Sequence, residues 1–174
     1  RHFLPEMYGA PGAQHVYVGC RIYTTGSGKN RSTHFRTFVD VLYEVTLKRG
    51  VHVQRAGGVR KFFGDVFGQV DVQLGDPTFD RECRVHGHEP TQLQALFANP
   101  ELRALLLVDR GAWEVALSDA GVRFERKGAC TEPGEIAPVL AHARDLATLT
   151  ETAWRQLPPS RQEQLVGPAW TRVS

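Results

Sequence analysis

The densest collection of chemistry-bearing side chains in the chain is Cys83-x-x-His86-x-His88-Glu89, four groups of metal-ligating type within seven residues. Thiolate, imidazole and carboxylate at that density are the donor types of a zinc-like centre. Strand geometry works against it: positions 83 and 86 point to opposite faces, so the four converge only if the chain turns at Gly87. A second cluster is acidic. Asp71, Asp76, Asp80 and Glu82 surround the turn-forming Gly75-Asp76-Pro77, and a carboxylate pair there would suit Mg²⁺ or acid–base work. An Asp before Pro is equally a turn former whose side chain bonds its own backbone. His86, His88 and the acids around Asp76 together supply the material for a metal-dependent enzyme.

A third group is cationic. Gly26-Ser27-Gly28-Lys29-Asn30 looks like the end of a phosphate-binding P-loop, but Tyr23 stands where the first Gly belongs and Asn30 replaces Ser or Thr. A P-loop also feeds a helix, whereas this segment feeds a stretch of strongly strand-like alternation. What remains is Lys29, Arg31, His34 and Arg36 near one hairpin tip, a contact point for an anionic surface, nucleic acid or a protein partner. No Gly-x-Ser-x-Gly elbow or other local nucleophile signature accompanies it. The other histidines, His2, His15, His52 and His142, are scattered.

The composition belongs to one globular domain: 41% hydrophobic, 23% charged, 17 Gly and 10 Pro in 174 residues. Disorder, collagen and coiled coil are excluded. A formal charge of +2 is too small for an electrostatic footprint on nucleic acid, which makes that partner the less expected one. Cys20, Cys83 and Cys130 are an odd number without a Cys-x-x-Cys pair, so they read as reduced, mostly buried thiols in a cytoplasmic protein. The longest apolar run, Ala104 to Val108, is far short of the roughly 18 residues of a membrane span. The chain opens on Arg1 without a signal-peptide pattern, and a segment upstream is expected.

The elements that position these groups follow from periodicity. Val16, Val18, Cys20 and Ile22 alternate with polar neighbours, and Phe35, Thr37, Val39, Val41, Tyr43, Val45 and Leu47 do the same, predicting two long paired strands with a mobile tip over 24–34. Phe38 and Leu42 are apolar exceptions on the otherwise polar face of the second strand, a fallback contact surface. Val51 and Val53, Val70 to Leu74, and Phe79 to His86 read as short strands, and 62–67 as a loop or single helical turn. Pro90 and Asn99-Pro100 start two short helices or one kinked one. Trp113 to Leu117 and Val122 to Phe124 flank a Gly-containing turn and form a second hairpin. A stripe from Ile136 to Leu157, including a Trp154 expected to be buried, predicts a long helix stopped by Pro158-Pro159. Ser160 to Glu163 has capping-box spacing for one more turn.

The series Gly75-Asp76-x-x-Phe79-Asp80, a strand, a leucine-rich helix over 100–108, a Trp-led hairpin and a long final helix resembles bacterial membrane-associated domains of unknown function. These typically follow N-terminal membrane helices and carry a similar Gly-Asp-x-x-Phe-Asp stretch. The resemblance implies a domain at the cytosolic face of a membrane, attached through a segment outside this chain; no catalytic residue comes with it. The expected architecture is α+β: a flexible leading arm over 1–14, one domain over 15–166 with a largely antiparallel sheet of six or seven strands packed by the last helix, and a tail over 167–174. The expected function is a binding or protein-interaction module without a cofactor, because the apolar patterning is well formed and no catalytic constellation accompanies it.

Overall fold

The computed structural model describes residues 14–48, 50–55 and 70–158. Among these, seven strands form one antiparallel sheet: β1 (His15–Thr25), β2 (Ser32–Leu42), β3 (His52–Arg55), β4 (Val70–Asp71), β5 (Cys83–Gly87), β6 (Trp113–Ser118) and β7 (Gly121–Lys127), in the order β1-β2-β7-β6-β3-β5-β4. Four helices join them: α1 (Pro77–Glu82), α2 (Pro90–Leu96), α3 (Pro100–Leu107) and α4 (Pro133–Arg155). The fold is α+β, a sheet with helices packed on one face. No helix of the described residues is long and apolar enough to cross a membrane.

Register assigns the two faces. Val39 opposes Phe124, Val41 opposes Val122, Val115 opposes Phe124 and Val53 opposes both Leu117 and Val85, so these side chains share the face that is buried. Against them pack Val139, Ala143, Leu146 and Ala147 of α4, with Leu93, Leu96, Leu102 and Leu106 of the short helices. Removing this apolar area from water is the main stabilising term. Trp154, expected to be buried, is only half-buried: it packs against the edge of the core from the last turn of α4.

Two other departures have clear hydrogen-bonding causes. The strand read over Phe79 to His86 is divided, α1 occupying its first half. Asp76 caps that helix, its carboxylate accepting from the N–H groups of Thr78 and Phe79 at 3.1 Å each, and Pro77 follows as a favourable first residue. The second strand ends at Leu42 instead of continuing to Leu47, because the β6–β7 turn captures the chain there. Ala120 accepts from the N–H of Tyr43 and Asp119 from that of Leu47 through their carbonyls, while the Asp119 carboxylate accepts from Gly50 and Val51 at 2.8 and 2.9 Å. Of the cysteines only Cys83 is fully buried, and Cys20 and Cys130 are half-buried free thiols. The expectations for 1–13, 62–67 and 160–174 lie outside the described residues.

One buried polar group in the core sets a pH dependence. His142 of α4 is 3% exposed and lies between the Arg110 guanidinium, whose Nε donates to its Nδ1 at 2.7 Å, and the Leu105 carbonyl 2.9 Å from its Nε2. Arg can only donate, so Nε2 must carry the proton of a neutral ring. Burial, and then the charge of Arg110, lower its pKa below the ordinary 6.5. The unfolded chain therefore takes up a proton before the folded one does, and stability is present above about pH 6.5 and is lost as pH falls through the folded value. His142→Gln keeps a donor and an acceptor without titrating, and urea unfolding from pH 7.5 to 5 should show a shallower loss in the variant. Leu146→Ala, at a fully buried α4 position, should cost about 2–5 kcal/mol by denaturant unfolding.

Candidate functional site

The candidate site is the free end of the β1–β2 hairpin. Both strands are 11 residues long, but β7, the only other neighbour of β2, has seven, and its last registered rung is Thr37 opposite Arg126. The Phe35 carbonyl still accepts from the N–H of Gly128 at 2.8 Å. Beyond that bond the rungs Ile22–Phe35, Tyr23–His34, Thr24–Thr33 and Thr25–Ser32 form a two-stranded ribbon. Every residue from 21 to 35 is exposed. A bare ribbon of two strands is marginal in water, and cross-strand pairs stiffen this one on both sides. Ile22 (62% exposed) faces Phe35 (41%) on one side, and on the other the rings of Tyr23 and His34 stack at 5.1 Å. The Thr25 hydroxyl lies 2.8 Å from His34 Nε2.

The tip is shorter than its sequence suggests: pairing continues to Thr25 and Ser32, leaving a six-residue turn over 26–31 where a loop over 24–34 was expected. Gly26 has φ +82°, and a Cβ there would meet the Asn30 carbonyl oxygen at 2.2 Å, so the turn requires glycine. A single 3₁₀ turn, Gly28–Asn30, closes it and aims Lys29 outward.

The four cationic candidates divide. Lys29 and Arg31 are exposed at the tip and carry no ion pair among the described residues. His34 is engaged within the ribbon. Arg36 is built into the sheet: its Nη1 donates to Glu125 Oε1 at 2.8 Å and its Nε to the Tyr23 hydroxyl at 3.4 Å. Glu125 is 2% exposed; burial pushes its carboxyl up, opposed by Arg36 and then by Arg123 and Arg21. Sequence reading missed Arg21, which register places opposite Arg36 at the ribbon's base, and Lys127, exposed at the end of β7. Alternation alone could have found Arg21, since it falls on the same face as Tyr23. Phe38, expected on an open surface, is buried between the Arg21 and Arg123 guanidiniums, 5.3 and 5.4 Å from its ring centre. Arg123 in turn forks onto Asp40, with Nε 2.6 Å from Oδ1.

The metal candidates do not converge. Cys83 points into the core, where burial pushes its thiol up to about 11, while His86 lies on the opposite sheet face against His52. His88 is exposed, and Glu89 precedes α2. Among the described residues no three metal-ligating side chains gather. The acids near Asp76 are committed to the backbone and to cations: Asp76 also pairs with Arg103 at 2.8 Å, Asp80 accepts from the N–H groups of Leu74 and Gly75 at 3.0 Å each, and Glu82 faces Arg55 and Arg81. Phe79 is fully buried against Phe97, so each member of the Gly-Asp-x-x-Phe-Asp stretch has a folding role. A polar cleft of about 490 Å³ runs along α4, lined by Arg144, Thr148, Glu151 and Arg155 with Gln14 and Glu44. Its acids are occupied: Glu151 accepts from the N–H of Glu44 at 2.7 Å, and Glu44 pairs with Arg155 at 2.9 Å.

Comparison of the chain with family models, curated proteins and solved structures returns no match.

Arg36 and the two tip cations should separate in stability. Arg36→Ala leaves the buried Glu125 carboxylate without its direct partner and should cost about 1.5–3 kcal/mol, whereas Lys29→Ala and Arg31→Ala should each stay within about 0.5 kcal/mol. Urea denaturation of the three variants checks this.

Proposed function

We propose that the protein is a non-catalytic binding module that presents its β1–β2 ribbon to an anionic partner. The observation that carries this reading is an exposed ribbon whose tip cations, Lys29 and Arg31, meet no carboxylate among the described residues, while its sequence has no acidic residue. From Met7 to Val39 the chain contains no Asp or Glu, and Arg21, Lys29 and Arg31 lie in that stretch without ion pairs among the described residues. Several cations of the sheet and helices, by contrast, are neutralised: Arg123, Arg126, Arg103 and Arg155 all meet carboxylates. A rigid base with a projecting loop is the usual arrangement for contact residues.

Besides Arg36 and Arg123, raised first by their hydrogen bonds to Tyr23 and Asp40 respectively, the side chains with displaced pKa values are Tyr43, His52, Cys83, Glu125 and His142, each displaced first by burial. They are spread over both sheet faces and the core instead of meeting in one cleft, where a catalytic set would gather. The resemblance of the Gly75 to Asp80 stretch adds a placement at the cytosolic face of a membrane, where acidic lipid headgroups are one available anion.

Retention on a heparin column tests the reading. The wild-type protein should elute at higher salt than a Lys29→Ala/Arg31→Ala double variant, with both melting at the same temperature. Co-elution of the two would remove the ribbon tip from the contact surface.

A further inference from the structure

The chemistry of the ribbon selects among anions. Of the side chains at 24–34, Thr24, Thr25, Ser27, Lys29, Asn30, Arg31, Ser32, Thr33 and His34 can all donate hydrogen bonds, and the only other residues in that span are Gly26 and Gly28. They stand on both faces and around the tip, an arrangement that suits a partner with two walls more than a flat one. We propose that the β1–β2 ribbon is a B-form DNA contact that enters the major groove tip first, Lys29 and Arg31 reaching phosphates or base edges and Arg21 meeting the backbone at the groove's rim. This rests on the reading of the ribbon as an anion-binding element and names its partner.

Dimensions agree with that occupant. Two paired strands stand about 4.8 Å apart, and the major groove, about 12 Å wide and 8.5 Å deep, admits a two-stranded ribbon. The exposed rungs from Ile22 to Thr25 rise about 10 Å, so the groove is filled before the sheet body reaches the phosphates. Lys and Arg contact phosphates as charges and guanine as donors, Asn pairs with adenine, and Ser or Thr serve either. An exposed carboxylate would be repelled by either wall, and the ribbon has none.

A membrane fits less well. A ribbon that dips into a bilayer leads with apolar side chains, but this turn is Gly-Ser-Gly-Lys-Asn-Arg, and Ile22 and Phe35 lie three rungs behind the last pair. Inserting them would drag Lys29, Asn30 and Arg31 into hydrocarbon first. The low net charge of the whole chain does not oppose DNA contact, because screening makes the local field, within about 8–10 Å, the one that a partner meets.

Fluorescence anisotropy with a labelled duplex DNA of about 20 base pairs tests the proposal, with duplex RNA, single-stranded DNA and phosphatidylserine vesicles as competitors. Three phosphate contacts give log K against log salt a slope of about −2.7. The Lys29→Ala/Arg31→Ala variant should lose about two units of that slope. Duplex RNA, whose deep major groove is too narrow for the ribbon, and vesicles should compete at least about tenfold more weakly than duplex DNA. Gly26→Ala keeps every charge but cannot keep the turn; it should bind duplex DNA several-fold more weakly while eluting from heparin near the wild type. If heparin binding is lost in the double variant but duplex DNA is not bound in 50 mM salt, or if vesicles or duplex RNA compete as well as duplex DNA, the groove contact is wrong and the anion-binding reading stands. If heparin elution is also unchanged by the double variant, both fail.

Discussion

Everything in this fold depends on how far α4 covers the sheet. The helix lays Val139, Ala143, Leu146 and Ala147 against the apolar side of β2 and β7, and where that cover exists alternating residues become core. Past the end of β7 the same alternation continues in β1 and β2 with none of the described residues of the helices packed on it. Ile22 and Phe35 therefore follow the pattern of buried residues while remaining exposed. The mismatch between two strands of 11 residues and one of seven produces the ribbon, and the ribbon is the feature from which the functional reading grows.

The sheet face opposite the helices handles its polar groups by pairing them across strands. Arg36 of β2 meets Glu125 of β7, and Arg123 of β7 meets Asp40 of β2, so two reciprocal ion pairs cross one strand boundary with Phe38 held between guanidiniums. Replacing either member strands a largely desolvated charge, which makes the pairs costly to break whatever their net stabilising value. They also bind the base of the ribbon to the body of the sheet, since Arg36 reaches Tyr23 as well. The ribbon's free cations are those beyond this network.

Acidic residues illustrate how folding consumes candidate chemistry. Asp76 and Asp119 look like surface carboxylates near turns, yet Asp76 caps α1 and Asp119 ties the segment after β2 through two backbone amides. Asp80 closes the loop before α1 in the same manner. An ionised carboxylate that accepts two N–H groups is held in one geometry and has fewer lone pairs left for a metal. The Gly-Asp-x-x-Phe-Asp stretch is thus a device for starting a helix beside a strand and seating Phe79 in the core.

The amino-acid sequence by itself determined the α+β class, both hairpins and the long final helix, because each is written in a period of 2 or 3.6 over neighbouring residues, and it marked helix starts at Pro90 and Pro100 while leaving open whether they begin two helices or one kinked one. It also placed Lys29 and Arg31 at a turn, since Gly26 and Gly28 mark one locally. Three features were decided by tertiary structure: the end of β2 at Leu42, the burial of Phe38, and the division of the cations into a structural Arg36 and a free tip. Each depends on partners far along the chain: Ala120 and Asp119 for the strand end, Arg123 for Phe38, Glu125 for Arg36. The helix at Pro77 is the intermediate case, its Asp-Pro start signal being local and legible, but outweighed in a periodicity reading by the alternation of Phe79, Cys83 and Val85. A side chain's type and spacing state what it can do. Which groups remain free to do it is set by the charges and amides that folding brings within about 3 Å, and those contacts are not local in sequence.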